Sequence, residues 1–170
     1  MSNLFEPNAT VMYGSHGACT VVEIAEKEFA GEKKDYYVLR PLRSGTSLYY
    51  VPLDSEVLTA RMHTPPDTDT FCRAVAETEA AEWIFEDRSR QNWLKQVVEA
   101  GGTVQMLRAH RMLVAKRTEL SELGKKLRAA DDRFLRDIEE LLLEEISLVF
   151  PAEKEKLTAF LHGACDLADV

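Results

Sequence analysis

The chain has 170 residues, enough for one large domain or two small ones. Hydrophobic residues make up 45% and charged residues 29%, which excludes a disordered chain, a fibrous repeat and a disulfide-rich mini-scaffold. The formal net charge of −8 excludes a wholly basic nucleic-acid coat while leaving room for a local basic patch.

Residues 1 to about 61 carry strand signals. The opening MSNLFEPNAT lacks a basic stretch and an apolar run, so a secretory signal is not expected. Val11–Tyr13 reads as a short strand and Gly14-Ser15-His16-Gly17 as a turn, with His16 a structural turn residue rather than a base. Cys19–Ile24 is rich in β-branched residues, Gly31–Lys34 looks like a hairpin tip, and Tyr36–Leu39 is a strand. Arg43–Thr46 is a turn, and Ser47–Val51 is a further strand closed by Pro52. Short strands separated by closely spaced turn signals predict a small bent β-barrel or a strongly bent sheet.

His63-Thr64-Pro65-Pro66-Asp67 is the clearest punctuation, a linker or helix start. Beyond it the apolar period becomes helical. Thr70–Ala81 places Phe71, Val75 and Ala74/Thr78 on one stripe. Asp87 is a candidate N-cap for a helix through Trp93, Leu94, Val97 and Val98, which Gly101-Gly102 ends. Thr103 is expected to cap the next helix, residues 121–127 form a connection of open type, and 130–149 has the clearest buried stripe, from Phe134 to Val149. Pro151 resets the chain before a short last helix with Leu157, Phe160 and Leu161. The class is therefore α+β, with domains at 1–61 and 66–170, the second an all-α bundle of four or five helices.

The three cysteines, Cys19, Cys72 and Cys165, form no CxxC and no Cys/His cluster, so reduced cytoplasmic thiols are expected and no metal site. The longest apolar stretch, residues 141–150, is broken by Glu144 and Glu145 and is too short to span a membrane. Glu139-Glu140 and Glu144-Glu145 read as a solvated helix face. No nucleophile–base order, P-loop or GxGxxG follows a strand, so neither an enzyme nor a cofactor is expected.

Charge is uneven in the helical half. Residues 88–128 hold ten bases against three acids, and residues 129–170 hold four bases against eleven acids. A basic segment of +7 inside an acidic chain can meet phosphate, or it can pair with the acidic last helices.

VMYGSHGACTVVEI, AGEKKDYYVLRPL and LYYVPLD together resemble the start of the CarD/CdnL family of bacterial transcription regulators. The matching positions are Val11, Tyr13, His16, Gly17, Val22, Ile24, Gly31, Glu32, Tyr36, Tyr37, Val38, Leu39, Val51 and Pro52, in order and in register. Ala18-Cys19 stands where the family turn commonly has its second glycine. The resemblance implies a Tudor-like domain that docks on the β subunit of RNA polymerase. It also implies a helical domain at promoter DNA, where a tryptophan wedges into the minor groove and stabilises the open complex. By position, the polymerase-facing edge would comprise Lys27, Phe29, Tyr49, Tyr50 and Val51. The strand 48–51 could add to a strand of the partner through its backbone, although Tyr49 and Tyr50 alternate faces and one of them would then be core.

In the helical half, Trp83, then Arg88 and Arg90, then Gly101-Gly102 occur in the family's order. The spacing from Trp83 to Gly101 is about one helical turn longer, and counting back from Gly101 reaches Asp87. Trp83 lies in the acidic run AAEWIFED. It is either the wedge or a packing residue, while Trp93 reads as core. Arg88, Arg90, Lys95, Arg108, Arg111, Lys116 and Arg117 are the candidate phosphate contacts. The expected function is a cytoplasmic transcription regulator on polymerase and promoter DNA. A protein–protein adaptor that has lost DNA contact is the alternative.

Overall fold

A computed structural model of the chain describes residues 4–163, and Cys165 lies outside the described residues. The chain divides into two compact units, one ending at Thr64 and the other starting at Pro65.

The first unit holds β1 (Thr10–Tyr13), β2 (Ala18–Phe29), β3 (Glu32–Pro41), β4 (Tyr49–Pro52), a single-turn helix α1 (Glu56–Thr59) and β5 (Met62–His63). All neighbours are antiparallel, in the order β4-β3-β2-β1-β5. Period-two patterning puts Val11, Tyr13, Val21, Tyr37, Leu39 and Val51 on one buried face, joined by Cys19 and Met62. The β2–β3 hairpin closes at Ala30-Gly31, between the paired Phe29 and Glu32. Both turn residues have positive φ, 51° and 81°. That backbone matches the twist of the flanking strands, and glycine adopts it without strain at the second position. Lys33 and Lys34 therefore belong to β3 rather than to the turn. A bulge between Val21 and Glu23 bends β2.

Three details differ from the sequence reading. The sheet is open: β4 and β5 are its edges and no pairing joins them, β5 being only two residues long. β4 starts at Tyr49, later than the pattern from Ser47 suggests. The turn of α1, capped by Ser55 Oγ, which accepts from Leu58 N–H at 3.3 Å, carries too few residues for a periodic signal.

The second unit comprises α2 (Thr68–Glu77), α3 (Asp87–Ala100), α4 (Thr103–Glu122), α5 (Ala129–Val149) and α6 (Lys154–Leu161). Asp67 caps α2 by accepting from Thr70 N–H at 2.8 Å. The cap of α3 is Glu86, not Asp87: its carboxylate accepts from Arg88 and Ser89 N–H at 3.1 and 2.6 Å, and Asp87 is the first helical residue. Gly101 ends α3 in the left-handed region at φ 71°. Gly102 then occupies the cap position of α4, so Thr103 lies inside that helix and its hydroxyl is directed elsewhere. Helix α4 also absorbs residues 121–122 of the undefined connection. Leu135, Ile138, Leu142 and Ile146 of α5 are buried in one core with Phe71, Leu94, Leu107 and Leu113. Full burial of such side chains is worth on the order of 1.5–3 kcal/mol each. No described helix is long and apolar enough to cross a membrane.

Candidate functional site

In the sheet unit, the candidate residues sort by face. Val51 and Tyr49 pair with Tyr37 and Leu39 on the core face. Val51 is buried, so its side chain offers nothing to a partner. Tyr49 is half-buried and meets His16 in a tilted contact, ring centroids 4.2 Å apart, while His16 in turn stacks on Tyr13 at 5.3 Å. His16 thus pins the 14–17 turn to β4, a structural role.

Tyr50 lies on the opposite face. There it joins Phe29 and Tyr36 in an edge-to-face triad with centroid separations of 5.2, 5.2 and 6.4 Å. Tyr36 is largely buried, whereas Phe29 is 46% exposed and Tyr50 39%. Leu42 and Leu48, also exposed, lie at the two ends of the β3–β4 connection. Lys27 sits two residues before Phe29 on β2 and is held by Glu23 at 3.4 Å.

The backbone of β4 has one committed and one open side. Leu53 N–H donates to the Asp35 carbonyl at 3.0 Å. Because bonded pairs alternate along an antiparallel ladder, Tyr49, Val51 and Leu53 turn their backbone groups towards β3 and Tyr50 turns its own outward. Among the described residues no strand pairs with that outward side.

In the helical unit, Arg90 departs most from expectation. The residue is 1% exposed and out of reach of a phosphate backbone. Its Nε and Nη2 donate to the two oxygens of Asp131 at 2.9 and 2.8 Å, Nη2 also meets Asp87 at 2.7 Å, and Nη1 donates to the Ile84 carbonyl at 2.8 Å. The guanidinium carbon lies 4.3 Å from the Trp83 ring centroid, and Lys116 Nζ lies 5.1 Å from it. Trp83 is half-buried against the bundle core, beneath two cations. Trp93 is also partly buried there.

The other candidate bases are dispersed. Arg88 and Lys95 are exposed on α3, Lys95 lying 4.0 Å from Glu99. Arg108 is half-buried beside Gln105. Arg111 is half-buried and donates to the Val75 carbonyl, tying α4 to α2. Lys116 and Arg117, by contrast, belong to a denser group. A surface cavity of about 240 Å³ is lined by Trp83, Phe85, Lys116, Lys125, Lys126 and Arg128 among others. Arg117 lines an adjoining cavity with Lys125 and Lys126. Five cations thus surround the α4–α5 connection. Asp87 also faces this cavity and pairs with Arg128.

Phe85 is 85% exposed at the cavity's rim. The basic segment is visible in the sequence, whereas Phe85, one aromatic in a loop, carries no periodic signal.

Of the α5 carboxylates expected on a solvated face, Glu140 is exposed, whereas Glu139 and Glu144 are half-buried and Glu145 is withdrawn from solvent. Glu145 is fully buried and accepts from the Thr103 hydroxyl at 2.8 Å. Glu139 Oε2 lies 2.8 Å from His110 Nε2 and 2.9 Å from His162 Nε2. Burial pushes the His110 imidazole below the usual histidine range, outweighing the opposite pull of Glu139. Burial would raise the Glu139 carboxyl, but its contacts with the two histidines more than offset this and hold it below the usual carboxylate range.

Among the curated proteins none matches the chain. The family model for the CarD-like/TRCF RID domain matches residues 5–61, which takes in all of β1 to β4 and α1. Residues 5–61 of this chain are thus similar to the CarD-like/TRCF RID domain.

Proposed function

We propose that this chain is a cytoplasmic transcription regulator that docks on the β subunit of RNA polymerase through its sheet unit. The observation that carries the reading is the open side of β4 next to the exposed pair Phe29 and Tyr50, within a region similar to the RID domain. A strand of the partner would pair along Tyr50 while the aromatic pair supplies desolvated contact area. Lys27 adds a charge at the rim, where it affects association more than residence. A pull-down of the polymerase β subunit by the full chain tests this: Lys27→Glu combined with Tyr50→Ala should lose capture. Unchanged capture removes the docking assignment.

The helical unit, in this reading, meets promoter DNA through the cations around the α4–α5 connection. Trp83 is engaged beneath Arg90 and Lys116, so Phe85 is the aromatic available to enter a minor groove there. A protein that holds the open complex more tightly than the closed one shifts that equilibrium by the difference. Five phosphate contacts give a salt slope of about −4.5, or a loss of roughly 500-fold between about 50 and 200 mM salt. Fluorescence anisotropy with promoter DNA measures the slope. Absence of binding at the lowest salt would favour an adaptor that acts through protein contacts alone.

A further inference from the structure

We propose that His110, Glu139 and His162 form a three-ligand site for a divalent transition-metal ion of the zinc class. The three donors come from α4, from α5 and from the residue that ends α6. Their candidate ligand atoms, two imidazole Nε2 and one carboxylate oxygen, all lie within 4.8 Å of one another. Two histidines and a carboxylate are a recognised zinc donor set, with metal–ligand distances of about 2.0–2.2 Å, and a tetrahedral ion then separates its ligands by about 3.4 Å. The Glu139–histidine contacts of 2.8 and 2.9 Å need to open by only about half an ångström to reach that spacing. His162 can supply its own part of this movement, since it is exposed and lies just past the last turn of α6.

The protonation chemistry is compatible with the geometry. Without metal, each Nε2–H donates to Glu139. With metal, each imidazole must carry its proton on Nδ1 and turn the Nε2 lone pair inward. His110 Nδ1 has no hydrogen-bond partner among the described residues, so no contact there holds the ring in the metal-free tautomer. Imidazole donors favour zinc, cobalt, nickel and copper over calcium or magnesium. Because the ligands sit on three separate helices, the ion would clip α6 to the α4–α5 pair, and three protein ligands leave a fourth position open.

The test uses the full chain, free of any purification tag and stripped with chelator, titrated with Zn²⁺ and, for a spectroscopic readout, Co²⁺. We expect one equivalent of metal, visible d–d absorption for the Co²⁺ form, and a higher thermal midpoint for the helical unit. His162→Gln removes an exposed ligand and should fold normally. It should weaken Zn²⁺ binding by more than the about 10–100-fold that loss of an outer-shell partner costs, and abolish the thermal shift. Glu139→Gln should do the same. If the parent chain binds no Zn²⁺, the proposal fails. Binding retained by His162→Gln places the metal elsewhere, such as on the thiols, and overturns it equally.

Discussion

Asp131→Ala should destabilise the helical unit by about 3–5 kcal/mol, a large part of the total stability of an ordinary domain. The reason lies in the accounting of one guanidinium. Arg90 spends its donors on both Asp131 oxygens, on Asp87 and on the Ile84 carbonyl, and its face on the Trp83 ring. With Asp131 gone, the cation stays buried and loses its bidentate partner, and the low local dielectric that strengthened the pair now penalises a charge left with only the partly exposed Asp87 to balance it. Replacing both members by apolar residues, as in Arg90→Met with Asp131→Leu, should recover most of the loss, since that removes the charge as well as its partner. Both tryptophans, Trp83 and Trp93, lie in the helical unit. Tryptophan emission during denaturant unfolding therefore reports this unit alone. A loss below about 1 kcal/mol for Asp131→Ala would mean that water reaches the pair.

The same network explains where sequence reasoning succeeds and where it stops. Local signals were legible: Gly101 at a left-handed helix end, the Asp67 cap after the two prolines, and the apolar stripe of α5 all act within a few residues. Arg90 was not legible as a core residue, because the aspartate that neutralises it stands 41 positions away. A charged residue in a basic run looks solvated until its partner is placed. His110 and His162 have the same problem, lying 29 and 23 positions from Glu139. In the sheet unit, the strand sequence could be read but closure could not. Whether β4 meets β5 depends on a long-range pairing that neither short strand encodes. That open edge is also what leaves Tyr50 with a backbone to offer, so the feature hardest to read is the one on which the proposed docking most depends.

Tyr50→Ala and Tyr50→Pro separate the two contributions that this residue can make. Alanine removes the ring that packs on Phe29 and Tyr36 but keeps the outward N–H. If Tyr50 is a central anchor, its loss should weaken binding to the polymerase β subunit by roughly 30-fold, the value of about 2 kcal/mol that marks a hot spot. Proline removes the ring and the N–H together. Edge strands tolerate proline where the N–H points away from the sheet, so the alternation of the β3–β4 ladder predicts a folded variant with the same thermal midpoint as Tyr50→Ala. One backbone hydrogen bond to a partner strand is worth about 0.5–1.5 kcal/mol net. Tyr50→Pro should therefore bind a further two- to tenfold or so more weakly than Tyr50→Ala. Equal affinities for the two variants, measured by surface plasmon resonance with the folded β subunit, would show that the partner uses the aromatic ring and not the strand edge. An effect confined to proline would assign the contact to the backbone and leave Phe29 and Tyr50 as sheet packing.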